Sequence, residues 1–483
     1  MRRLQCDVVV VGCGVAGLSA ALSALEQNAK VIVLERAPQE DRGGNTRWTE
    51  ALLRVKDDLT VWDDFEKRYL DNSGYYIFPE FIRATAKDYE TWPALVKALA
   101  FVDPELLTTF MEGIPDGLKW LESYGVKTHP SMYPYLPPVK HLGLYGGGLA
   151  LVETLCPTIE KKGAQILYET TATALLQDED NRVTGLKAVD AAGDSVIIDA
   201  KSVVLACGGF EGNPEMLAKY IGSQARYMRP VARGGWYNKG EGIRMALDAG
   251  AAPAGDFADV HRQPIDPRSS ASEALINAFP LGIVVNKNGE RFFNEAHSEY
   301  DYYAEEPCVA INRQPGGIGF FVYDAKIDEV PNWRIAIRSD QPAIVADTLP
   351  ELARKLGISV NGFMQTVETF NRACTDGPID VSKFDHRSTK GIVPEKSNFA
   401  RSISVAPFGA YPIITSATFT YGGLKVTRDS QVVSASGSVI RGLYAAGETV
   451  GIIYGIYVGA TSVLRGLVFG RRAGAHAGKR SRA

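Results

Sequence analysis

Three glycines in the stretch Asp7-Val8-Val9-Val10-Val11-Gly12-Cys13-Gly14-Val15-Ala16-Gly17 have the spacing to hold a pyrophosphate. Gly12 permits a tight turn and Gly14 lets the backbone approach the phosphates. Gly17 lets a helix pack closely on a strand, and that helix then points its N-terminus at the negative charge. Glu35 ends the next apolar run, Lys30 to Leu34, where a carboxylate takes ribose hydroxyls. A donor-rich cluster follows at once, Arg42-Gly43-Gly44-Asn45-Thr46-Arg47-Trp48-Thr49. Such a loop suits a second face of a pyrophosphate and the edge of a flavin. The chemistry these residues can do together is dinucleotide binding.

The elements needed to position them are legible nearby. The four valines after Asp7 have the look of a fully buried parallel strand. The small-residue segment LSAALSALEQNA reads as the helix behind the glycines, and Lys30 to Leu34 as the second strand. Two later apolar runs also end in glycines, Val203 to Phe210 (VVLACGGF) and Gly442 to Thr449 (GLYAAGET). The segment SVLRGLVFGRRAGAHAG reads as a final helix. Strands ending in glycine turns before helices make this an α/β chain.

Composition bounds the rest. The 483 residues suggest about three units at roughly 150 residues each. Lys plus Arg is 52 and Asp plus Glu is 56, a net charge of -4, which argues against nucleic acid as the main partner. Cysteines 6, 13, 156, 207, 308 and 374 are scattered without CxxC spacing. They suggest neither a metal site nor a disulfide framework, and a reducing, cytoplasmic compartment is the expectation. No apolar run approaches the roughly 20 residues of a membrane span. The opening arginines and valines run straight into the glycine pattern and are not read as a signal peptide.

Taken together, the glycine fingerprint with Glu35, the GGNT loop, LACGGF and GLYAAGE resemble the FAD-dependent fumarate reductase/succinate dehydrogenase flavoprotein family. The resemblance covers nearly the whole chain. GGNTRWTEA, TFTYGGL and VFGRRAG look most like the tricarballylate dehydrogenase branch, and the pattern at Tyr457 to Gly459 resembles the 3-ketosteroid dehydrogenase branch. The resemblance implies a Rossmann-like FAD-binding domain (GR2-type) with an inserted α+β capping domain. The expected segments are 1–255 and 401–483 for the FAD domain and 256–400 for the cap. It implies FAD contacts from Gly12, Gly14, Val15, Ala16, Gly17, Glu35, Arg36, Gly44, Asn45, Thr46, Thr49, Ala172, Gly208, Gly447, Glu448, Ser462 and Val463. Ala172 would offer its backbone to the adenine. Arg47 and Trp48 stand where succinate dehydrogenases carry a flavin-linked histidine, so FAD is expected without a covalent bond.

The family's substrate lies between flavin and cap, and its charged groups map onto this chain unevenly. His261, with Arg262 after it, falls at the substrate histidine. Glu295 sits in a GxRFxNE-like segment as a proton-pathway acid, but Ser298 stands where an arginine should follow. No arginine occurs in Tyr323 to Asp328, the late histidine is replaced within Thr418 to Gly423, and the last arginine corresponds to Ile456 or Tyr457. Plain fumarate chemistry is therefore disfavoured. Tyrosines replace these groups: Tyr421, Tyr454 and Tyr457 in segments expected to face the flavin, and Tyr133, Tyr135, Tyr300, Tyr302 and Tyr303 in expected lid loops. Tyr457 and Tyr421 are the leading candidates to polarise a carbonyl or take a proton, with His261, Arg262 and Glu295 beside them.

The resulting expectation is an FAD-dependent dehydrogenase that makes a C=C bond alpha-beta to a carbonyl or carboxylate. The substrate is a cyclic ketone of steroid or oxocyclohexane type, or a small polycarboxylate such as tricarballylate. An acid would be clamped by His261, Arg262 and Arg233 or Arg313. Electrons would pass to an external acceptor: oxygen, a quinone or a partner protein. A fumarate reductase-like enzyme, or a flavoprotein subunit that mainly relays electrons, is the alternative.

Overall fold

The four valines after Asp7 lie at the centre of a sheet because β-branched side chains fill both of its faces. The computed structural model describes residues 2–73, 102–133, 139–297, 305–375 and 377–480. The elements used below are, in chain order, β1 (Arg2–Val11), α1 (Val15–Glu26), β2 (Val31–Leu34), α2 (Gly44–Trp48) and α3 (Gly147–Lys161). Next come β3 (Gln165–Leu167), β4 (Thr171–Gln177), β5 (Val183–Val189), β6 (Ser195–Leu205), β7 (Arg229–Pro230), β8 (Val260–Ile265) and β9 (Ile283–Val285). The remainder are α4 (Glu305–Asn312), β10 (Ile318–Asp324), β11 (Ile344–Ala346), α5 (Leu349–Leu356), α6 (Val360–Ala373), β12 (Phe408–Thr420), β13 (Gln431–Val433), β14 (Val439–Ala445) and α7 (Ser462–Arg480).

Among the described residues an eight-stranded sheet has the order β13-β14-β6-β1-β2-β3, with β4 and β5 attached to β6 as an antiparallel pair. β14, β6, β1, β2 and β3 are parallel, so this is the doubly wound arrangement of a dinucleotide fold. Helices α1 and α7 pack against each other almost backbone to backbone. A Cβ added at Gly470 would lie 2.3 Å from Ala16 O, and one at Gly474 would lie 2.0 Å from Ala20 O.

The second sheet has six strands among the described residues, β7-β12-β10-β9 with β8 and β11 also on β12. Its helices α5 and α6 are capped by Thr348 and Ser359, and they bury Leu352, Phe363, Val367 and Phe370 against it. The sheet draws strands from 229–230 and 408–420 as well as from 256–400, so its pairing crosses both segment limits read from the sequence. Of the helices expected over 58–124, much of the stretch lies outside the described residues. Tyr135, Tyr300, Tyr302, Tyr303 and Ser298 also lie outside them, as does the side chain of Tyr133. Among the described residues no helix is long and apolar enough to cross a membrane.

Candidate active site

The ends of β1, β2 and β6 open onto one long cavity. Every residue expected to touch FAD lines it except Gly17. Gly17 acts from behind: a Cβ there would meet Gly12 O at 1.9 Å, so only glycine lets α1 start this close to the turn. Thr46 joins the two donor-rich loops, its Oγ1 accepting the Val15 N–H at 3.0 Å. Glu35 is buried at the mouth of β2. Its carboxylate accepts the N–H groups of Ala37 (2.9 Å), Cys13 (3.1 Å) and Gly43 (3.4 Å). Burial raises its pKa, and those amides oppose the rise. Ala172 lines the cavity beside Thr170 and Thr171 at the start of β4. Gly208, Gly447 and Glu448 close the far wall, and Ser462 and Val463 present the N-terminus of α7. Half-buried Glu448 accepts the Thr420 N–H at 2.8 Å. Buried Glu211 beside it has a strongly raised pKa, through burial first and the charge of Glu448 second. Arg36 donates to Tyr237 O (2.7 Å) and Glu241 (3.1 Å), which line the same cavity. The cavity fits FAD: two phosphate-type glycine loops, an amide-held acid and a helix N-terminus face one channel.

The substrate end is built by a bulge. Along β8 and β12, His261 pairs with Phe419 and Arg262 with Ala417, so Thr418 is the extra residue. Its unpaired carbonyl accepts the Asn45 side-chain amide at 3.0 Å, which ties the GGNT loop to the second sheet. The bulge leaves His261 lining the cavity while Arg262 turns inward. The His261 Nδ1–H donates to Glu305 at 2.5 Å, and its Nε2 faces the Gln263 amide at 3.1 Å. Its ring lies 4.6 Å from the ring of Tyr457, centroid to centroid. The Tyr457 oxygen accepts the N–H groups of Thr461 (2.8 Å) and Ser462 (2.7 Å), at the start of α7. Phe419 stands edge-on to Tyr457 at 4.9 Å and completes an aromatic wall.

The other expected residues are placed elsewhere. Arg262 is buried, with its guanidinium on Asp259 and on Val260 O (3.1 Å) and 3.6 Å from Glu305. Asp259 in turn is pushed up to about 6, chiefly by burial against the charge of Arg262. Tyr421 does not line the cavity; its buried hydroxyl donates to Glu305 at 3.1 Å, and burial raises its pKa strongly. Tyr454 accepts the Gly255 N–H at 2.8 Å and also lies off the cavity. Glu295 is buried against β9, paired with Arg291 (2.5 Å) and accepting the Val284 N–H (3.0 Å). It sits in a buried ion cluster with Lys396, whose pKa burial lowers to about 8. Arg233 pairs with Asp41 at 2.9 Å, and Arg313 is exposed. Among the described residues no group of three or more His, Cys, Asp or Glu could hold a metal.

Sequence reasoning missed Glu305, which joins His261, Tyr421 and the Arg262 backbone from the first turn of α4. No local pattern marks it, because its partners come from β8 and from the residue after β12. It also missed Glu273, on the cavity wall with Arg338 (3.1 Å), which reaches Glu50 at 2.5 Å. Arg465 was missed too, although a lone arginine in the apolar face SVLRGLVF was a visible signal.

Comparison with known proteins agrees with this cavity. The family described as FAD binding domain matches residues 7–464. The chain is 28% identical to vinyl phenol reductase of Lactiplantibacillus plantarum, over 98% of this chain and 96% of that protein. It is 30% identical to NADH:acrylate oxidoreductase of Vibrio harveyi over 97% of its own length, and spans about half, 50%, of that relative. Among solved structures, 3-ketosteroid-Δ4-(5α)-dehydrogenase from Rhodococcus jostii RHA1 matches with TM-score 0.66 and 25% identity, over 99% of this chain and 97% of that one. With the glycine loops, Glu35 and the start of α7 converging on one channel, the chain belongs to the FAD binding domain family, as an FAD-dependent oxidoreductase of the fumarate reductase/succinate dehydrogenase kind acting on carbon–carbon bonds.

Proposed function

We propose that this chain moves a hydride and a proton across one carbon–carbon bond adjoining a ketone or an aromatic ring in a cyclic substrate. FAD supplies the hydride exchange. The reading is carried by the facing pair His261 and Tyr457 on an aromatic wall, with two of the expected carboxylate clamps, Arg262 and Arg233, paired to Asp259 and Asp41 instead. A small polycarboxylate brings several charges into a buried site, and each needs a charged partner. A neutral ring needs apolar walls and a few placed polar groups. The Tyr457 oxygen already accepts two amides, so its own O–H is the hydrogen left to give a substrate oxygen. Polarising that oxygen makes the neighbouring C–H acidic. His261, oriented through Nδ1 by Glu305, carries the proton at Nε2 once the Gln263 amide, 3.1 Å from that nitrogen, gives way to substrate.

The names of two relatives support a ring substrate, one an aromatic alkene and one a 3-ketosteroid. Direction is then set by the external electron partner, because the same groups serve removal and addition of the hydrogens. The test uses the FAD-loaded chain without oxygen. Oxidised protein is mixed with 3-ketosteroids, oxocyclohexanecarboxylates, tricarballylate and succinate; reduced protein is mixed with vinyl phenol, cyclic enones, acrylate and fumarate. Flavin bleaching or reoxidation by the ring compounds supports the reading. A response to succinate, tricarballylate or fumarate alone overturns it. Steady turnover with a soluble dye favours catalysis by this chain over relay to a partner.

A further inference from the structure

The first turn of α7 carries a charge that the chemistry above does not use. Arg465 is 2% exposed, and it lines the cavity with Ser462, Val463 and Gly466. Neither Nε nor Nη1 has a hydrogen-bond partner among the described residues. The guanidinium carbon lies 5.5 Å from the centre of the Phe419 ring, and the carboxyl of Glu448 is electrically coupled to it. A permanently charged group buried with two of its nitrogens lacking hydrogen bonds is costly. Helical side chains lean toward the helix N-terminus, which directs this one over Thr461 and Ser462. The amides of those two residues already donate to the Tyr457 oxygen. The guanidinium thus brings unsatisfied N–H groups to that wall.

We propose that Arg465 meets the pyrimidine edge of FAD and holds the negative charge that reduction leaves there. The proposal rests on FAD occupying this cavity, not on the identity of the substrate. A hydride added at flavin N5 brings two electrons and one proton, and leaves one negative charge spread over N1 and the C2 oxygen. Parallel guanidinium N–H groups suit that edge. Sulfite reports the same charge without substrate: its sulfur forms a bond to N5 and the negative charge moves to the same atoms.

The experiment compares FAD-loaded wild type, Arg465→Lys and Arg465→Gln by sulfite titration and by the midpoint potential of the bound flavin. Arg465→Gln is expected to bind sulfite at least tenfold more weakly, with the two-electron potential lower by about 30 mV for each factor of ten. Arg465→Lys is expected to keep most of both. If Arg465→Gln fails to hold FAD, the reduced wild-type spectrum at neutral pH decides: an anionic hydroquinone supports the proposal and a neutral one overturns it. Unchanged sulfite affinity and potential in loaded Arg465→Gln overturn it. So does a raised KM for an anionic substrate with both flavin readouts unchanged, which would give the guanidinium to the substrate.

Discussion

The Nδ1 atom of His261 lies 2.5 Å from a carboxylate oxygen of Glu305, and the same oxygen takes the Tyr421 hydroxyl at 3.1 Å. One buried acid therefore fixes the imidazole and anchors a tyrosine that sequence reasoning placed at the flavin. Glu305→Gln removes the charge but keeps the shape. Flavin reduction by substrate is expected to slow about 100-fold, with FAD content unchanged. In a His261→Asn background the same substitution should cost little more, because the two residues act as a unit. Stopped-flow reduction of the double mutant cycle checks this, and equal losses in both backgrounds would separate Glu305 from His261.

Tyr457→Phe removes an oxygen that accepts two helix-start amides and offers a hydrogen to the cavity. Flavin reduction is expected to fall between about 10² and 10⁴-fold, the usual size of a lost acid–base group. The freed amides of Thr461 and Ser462 should also cost about 1–3 kcal/mol of stability. Thermal unfolding and single-turnover reduction, measured on the same loaded sample, separate the two effects. Unaltered reduction would remove Tyr457 from the chemistry.

What was legible followed from local physics. The strand, glycine and helix sequence from Asp7 to Gly17 needs only short-range packing, and the positions carried over to FAD lie along one channel, with Gly17 behind it. The far end was harder, because facing depends on a single inserted residue. Thr418 shifts the β8–β12 register, so His261 reaches the cavity while its neighbour Arg262 is turned onto Asp259. Tyr421 and Glu295 carry suggestive spacing, yet both satisfy buried partners rather than the cavity. Glu305 acquires its role only when α4 meets β8 and Tyr421, a contact that no sequence window contains.

Gly17→Ala tests the first link directly. The added methyl would sit 1.9 Å from Gly12 O and 3.4 Å from a methyl of Val10, so α1 must move away from β1. Overpacking of this kind costs roughly 1–3 kcal/mol, and here it also displaces the glycine turn that faces the phosphates. The expected result is a lower melting temperature together with reduced FAD content after purification. Full FAD occupancy at an unchanged melting temperature would contradict the close approach.

Glu273 gives the fold a pH dependence of calculable sign. Burial pushes its pKa up to about 7, with Glu50 adding to the rise and Arg338 opposing it. The folded pKa therefore lies above the ordinary carboxylate value of 4.5. Between 4.5 and about 7 the folded chain holds a proton that the unfolded chain has lost. The stability contribution of Glu273 is complete below 4.5 and is lost as pH rises to about 7, a change on the order of 3 kcal/mol. Glu273→Gln should flatten that part of the stability curve, while Arg338 keeps its pair with Glu50 at 2.5 Å. Denaturant unfolding of both proteins at pH 5 and pH 7.5 measures the difference. If the wild-type and variant curves run parallel across that window, Glu273 is not the group that titrates there.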